Sequence, residues 1–191
     1  MIKKILLTLA AVVVVFLAVA AMQPSNFKVE RSATLSASPA ALFEQVNDHH
    51  KFQKWNPWMK LDPNVRNTFS GAPSGVGAVC SWKGDSNVGA GTSTIIASNP
   101  GELVRFKMDW KEPMQGTSTL DFTFKPVSGK TLVTWSMYGS NGFMGKVMSL
   151  FMDCDKMCGP EFEKGLANLG AVAFESASAN IATTTSSRSN P

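Results

Sequence analysis

The chain has 191 residues, 44% of them apolar and only 17% charged, with a formal net charge of +4. Gly 15 and Pro 10 are ordinary amounts, which excludes collagen-like and wholly disordered chains, and three cysteines are too few for a disulfide-stapled miniprotein. Lys3 and Lys4 precede an apolar segment and no basic run follows them, so nucleic acid is not an expected partner.

From Ile5 to Met22 the only polar residue is Thr8, and no charge occurs from Ile5 to Phe27. As a helix, residues 5–22 reach roughly 27 Å, close to the thickness of a bilayer core. Lys3 and Lys4 stay on the cytoplasmic side, which sends the rest of the chain outward. The reading is a single-pass anchor in the inner (cytoplasmic) membrane, N-terminus in, with the domain periplasmic or otherwise extracytoplasmic. A second reading is a signal peptide. Ala18-Val19-Ala20 is an A-x-A match, and cleavage there gives a secreted domain starting at Ala21. The predicted organisation is 1–26 anchor or signal peptide, 27–175 globular domain, 176–191 polar tail. The tail is Ser, Thr, Ala and Asn with one Arg, too polar to order itself. The domain is large enough for one sizeable core.

Phe27–Leu35 alternates, with Phe27, Val29, Ala33 and Leu35 against Lys28, Glu30, Ser32 and Thr34, and Arg31 interrupts the apolar side. That is a strand with one buried face. Ser38-Pro39 starts a helix, Ser as N-cap and Pro in the first turn. Residues 48–60 hold His49, His50, Phe52, Trp55 and Trp58, and Pro57 ends a second short helix there.

Strands follow at 65–70, 76–83, 90–97, 103–110, 117–125 and 131–138, separated by short Gly- and Pro-bearing turns. Val127-Ser-Gly-Lys130 is a hairpin turn. Short links between successive strands make an antiparallel meander with one face on a core. The period then changes to 3.6. Phe143, Val147, Leu150, Phe151, Cys154 and Cys158 share a stripe, and Pro160 is expected to kink or restart the helix. Phe162, Leu166, Leu169 and Ala173 carry the stripe onward. A large apolar sheet face with one long helix to cover it is an α+β arrangement.

Cys154 and Cys158 are four apart on this helix. With no His nearby they lack the four ligands of a zinc site, and they read as core packing, as does Cys80. His49 and His50 read as a solvated loop at a helix end, with one of them as a general base in a cavity mouth the alternative. No nucleophile elbow, phosphate loop, metalloprotease motif or paired carboxylates are present. No catalytic residue, metal or cofactor is predicted.

The Ser38-Pro39 helix start, Trp55-Asn-Pro-Trp58, Gly75-x-Gly77 with Trp82-x-Gly84, and the stretch Gly142-x-x-Gly145-Lys146 through Phe151-Met-Asp, Gly159-Pro and Phe162-Glu-Lys-Gly165-Leu together resemble the START-like SRPBCC superfamily. The nearest likeness is to its membrane-anchored bacterial members of the polyketide cyclase/dehydrase and lipid transport type. The resemblance covers roughly 27–175. It implies a helix-grip fold, in which a curved seven-stranded antiparallel sheet holds the C-terminal helix over a hydrophobic cavity. Many members bind lipids, sterols or polyketides, and a minority catalyse cyclisation or dehydration.

The expected cavity wall is Trp82, Phe106, Met108, Trp110, Phe122, Phe124, Trp135 and Met137 from the sheet, with Met148, Phe151 and Met152 from the helix. Trp55 and Trp58 are expected at the entrance, or as a plug closing that end. Large aromatics with adaptable Met suit an apolar ligand; the same set also suits a filled core. The expectation is a domain that binds a hydrophobic small molecule or lipid without chemistry. A cyclase or dehydratase and a filled interaction domain are the alternatives.

Overall fold

The computed structural model describes the backbone of residues 1–187 and the side chains of residues 1–176. Seven strands form one antiparallel sheet: β1 Asn26–Leu35, β2 Arg66–Gly71, β3 Ala78–Lys83, β4 Ala90–Asn99, β5 Leu103–Glu112, β6 Gly116–Val127 and β7 Lys130–Ser140. Their order across the sheet is β1-β7-β6-β5-β4-β3-β2. The meander from β2 to β7 runs outward strand by strand, and β1 closes on β7 (Val29 opposite Met137). The hairpin between β6 and β7 has positive φ at both Ser128 (48°) and Gly129 (77°), the turn whose twist matches its strands. Register shifts at Ala90/Gly91 and Ile95/Ala97 bend β4, as bulges do.

Alternation sets the faces as the sequence predicts. Val104, Phe106, Leu120, Phe122, Phe124, Val133 and Trp135 are buried on the inner face. On the outer face Asp121 is buried beneath Arg105, which grips both its oxygens at 2.8 and 2.7 Å, and Tyr138 donates to it at 3.1 Å.

Two helices link β1 to β2. α2, Pro39–Val46, is capped by Ser38, whose Oγ accepts from the Ala41 N–H. α3, His49–Trp55, is capped by Asp48, and a 3-10 turn Pro57–Lys60 follows. After β7 come α4, Phe143–Ser149, and α5, Cys154–Ser187. The expected single stripe through 143–158 therefore breaks at 150–153, not at Pro160. Asp153 explains the restart: its carboxylate accepts from the Asp155 and Lys156 N–H groups at 3.0 and 3.3 Å, a cap that defines a helix start. Pro160 lies inside α5.

α5 also continues through most of the segment expected to be an unordered tail. Its backbone is helical to Ser187, because each residue added to an existing helix fixes one residue for one hydrogen bond. The end of that tail, residues 188–191, lies outside the described residues.

Arg31, the charge on the inner side of β1, reaches α5. It holds Asp155 in a two-pronged pair at 2.8 and 2.9 Å and Glu163 at 2.8 Å. α1, Ile2–Met22, is the one helix among the described residues long and apolar enough to cross a membrane.

Candidate ligand cavity

Between the sheet, α3 and the start of α5 lies a cavity of about 330 Å³. Its walls come from several places. The sheet supplies Cys80, Trp82, Ser93, Trp110, Leu120, Trp135 and Met137, and the α3 region supplies His49, Phe52, Gln53, Asn56, Trp58 and Met59. The turn before α5 supplies Met152, the start of α5 supplies Met157, Cys158 and Phe162, and the β3–β4 loop supplies Ser86, Asn87, Val88 and Gly89. The exposed members, Ser86, Asn87, Glu112, Pro113, Met152 and Met157, form the rim.

Six of the thirteen predicted wall and entrance residues meet here: Trp82, Trp110, Trp135, Met137, Met152 and Trp58. Trp82 and Trp110 pack edge to face at 5.5 Å. That contact needs Gly91, where a Cβ would stand 2.5 Å from the Trp82 ring. Trp110 Nε1 donates to Ser118 at 2.9 Å, which fixes its ring.

The others are elsewhere. Phe106, Phe122 and Phe124 share the inner face but are buried under the helices. Phe52 covers Phe106 and Phe122 at 5.8 and 5.9 Å, and Phe43 meets Phe124 at 6.1 Å. Trp55 is 1% exposed and packs on Phe122 and Trp135, so it is core and not an entrance. Its indole donates to the Gln45 carbonyl at 3.1 Å. Met108 is half-buried against the core, off the cavity wall. Met148 and Phe151 leave the wall because the chain turns at 150–153; Phe151 is 72% exposed.

His49 departs from the solvated reading and His50 keeps to it. His49 is buried, with 3% exposure, where a solvated helix end was expected. The Asp48 cap turns α3 so that His49 points inward and His50 lies over Phe69, ring centres 3.8 Å apart. Burial holds the His49 imidazole below its ordinary range, opposed by a hydrogen bond with the Ala78 backbone. Among the described residues, two buried side-chain polar atoms have no partner, His49 Nε2 and Trp135 Nε1, and both residues line the cavity. A neutral imidazole nitrogen and an indole N–H add to a mostly apolar wall one proton-accepting and one proton-donating atom that no protein group engages.

Three thiols are free. Burial pushes Cys80 up to about 11. Cys154 and Cys158 face each other at 4.0 Å. Hydrogen bonding between the two thiols lowers Cys154 and raises Cys158. Both pack against the core's edge, and Cys158 also lines the cavity. Of the wall residues that sequence reasoning missed, Cys80 and Phe162 had a signal, being on the apolar strand face and helix stripe. The β3–β4 loop had none.

Among solved structures the fold is similar to protein CV1439 from Chromobacterium violaceum (15% identity, 76% of this chain and 96% of that one, TM-score 0.55). It is also similar to protein MLL2253 from Mesorhizobium loti (15% identity, 78% and 98%, TM-score 0.56) and to major latex-like protein 151 from Panax ginseng (15% identity, 78% and 97%, TM-score 0.54). At such identities the likeness concerns fold. No curated protein matches the chain. The description "polyketide cyclase / dehydrase and lipid transport" matches residues 26–173, nearly the whole domain. With its helix-grip sheet and terminal helix, the chain belongs to that family of the START-like superfamily.

Proposed function

We propose that residues 1–26 anchor the chain in the inner membrane and that residues 27–175 form an extracytoplasmic domain binding a hydrophobic small molecule or lipid, without chemistry. The observation that carries this reading is the cavity: about 330 Å³ exceeds the roughly 300 Å³ at the low end of ligand sites, and a filled core would leave no such space. Trp58, Trp82 and Trp110 supply apolar contact, and Met59, Met137, Met152 and Met157 adapt to ligand shape. His49 Nε2 and Trp135 Nε1 fit a ligand with a polar group, since an unmatched buried polar atom is costly. The test is titration with a fluorescent fatty-acid or sterol probe. Saturable binding at one site supports the reading, and absence of binding to any apolar probe removes it.

His49 favours a second reading, a cyclase or dehydratase. A buried neutral imidazole in a cavity is a candidate general base. Turnover of a polyketide-like substrate that His49→Gln abolishes, with binding retained, would select this reading.

A further inference from the structure

The stretch before α5 carries apolar surface that the cavity does not use. Phe143, Met144 and Phe151 are 52%, 63% and 72% exposed. Clustered large apolar groups on a surface mark a partner. Their position indicates which partner. The Phe151 ring lies 6.1 Å from Phe16 of α1, and Lys146 Nζ donates to the Ala21 carbonyl at 3.2 Å. Phe16 stands six residues before Met22, about 9 Å of helix. Whatever surrounds α1 at that depth also surrounds Phe151. Interfacial apolar segments enter a bilayer by about 5–10 Å, the same depth. From Phe143 to Met152 the only charged residue is Lys146. It stands beside the outer end of α1, where a lysine extends to phosphate headgroups. The stretch ends at Met152, which like Met157 lies on the cavity rim.

We propose that Phe143–Met152 is seated in the outer face of the phospholipid bilayer beside α1 and holds the cavity rim against it, so that an apolar ligand enters from the lipid phase. This rests on the reading of α1 as a membrane anchor.

The test uses the full chain in vesicles of phosphatidylethanolamine and phosphatidylglycerol, with the photoreactive residue p-benzoylphenylalanine in place of Phe143, Phe151, or the exposed controls Val76 and Ile96. Irradiation is expected to give adducts one phospholipid heavier at the first two positions and not at the controls. A chain that withstands a carbonate wash yet forms no lipid adduct at 143 or 151 overturns the seating and leaves the anchor standing. A chain that the wash releases overturns both. In a second arm, Phe151→Asp, with its melting curve checked, is expected to slow transfer of a dansyl phospholipid from vesicle to domain several-fold. The final extent should be unchanged, because Phe151 is off the wall. A rate equal to that of the wild type overturns entry from the bilayer.

Discussion

Trp135 of β7 and Phe162 of α5 stack face to face, ring centres 4.3 Å apart and planes within 6°. This contact fastens the terminal helix to the sheet at the inner end of the cavity. It requires Gly165, where a Cβ would stand 2.4 Å from the Trp135 ring. Gly165→Ala is therefore expected to destabilise the domain by about 1–3 kcal/mol, the usual range for overpacking, as measured by urea unfolding. Gly170→Ala, whose added methyl meets only the flexible end of Leu35, is expected to cost less, since alanine favours the helix. Equal costs at the two positions would show that the stack is not what holds α5.

The inner face divides into wall and core, and substitutions can separate them. Trp110→Phe, on the wall, is expected to shift probe affinity several-fold with the fold intact. Phe106→Leu, under Phe52, is expected to lower stability by roughly 1 kcal/mol and leave affinity unchanged. Outer-face Lys107→Gln and Thr134→Ser should change neither. An affinity change in Phe106→Leu matching that in Trp110→Phe would mean that the cavity extends beneath α3.

Acid is expected to act first through His49. Its folded value is depressed below 6.5 by burial, so the unfolded chain takes up the proton at higher pH. This contribution to stability is complete above about pH 6.5. It is lost as pH falls from there toward the folded value. Asp155, held below 3.8 by Arg31, responds only in stronger acid: its contribution, small because the pair is exposed, is present above 3.8 and lost as pH falls through the folded value. Urea midpoints at about pH 8 and pH 5 should differ in the wild type and differ less in His49→Gln. An equal pH slope in the two chains would contradict the assignment.

The thiols should react in a fixed order. Iodoacetamide at neutral pH is expected to modify Cys154 first, because Cys158 stabilises its thiolate. Cys80 is expected to react only on unfolding. Cys154→Ala and Cys158→Ala are each expected to cost about 1–2 kcal/mol. Early labelling of Cys80, or zinc in the wild type that both variants lack, would overturn this.

Strand alternation was enough to place Trp82, Trp110, Trp135 and Met137 on one face, because a strand's side-chain period depends only on its own residues. What covers that face was not legible. Whether Phe106 meets a ligand or Phe52 depends on how α3 lies across the sheet, which is a long-range packing outcome. His49 was misread for a related reason: its inward turn follows from Asp48 capping α3, and a polar pair in sequence resembles a solvated helix end. The break before α5 did have a local signal in Asp153, but Pro160, the stronger punctuator, drew the boundary away from it.

The most direct measurement is native mass spectrometry of the full chain released gently from detergent. A cavity that holds a hydrophobic ligand predicts a population heavier than the polypeptide by one lipid-sized molecule. That population should diminish in Trp110→Phe and persist in Phe106→Leu. A spectrum showing only the bare polypeptide, from a chain that also binds no fatty-acid or sterol probe, would contradict a ligand-binding role.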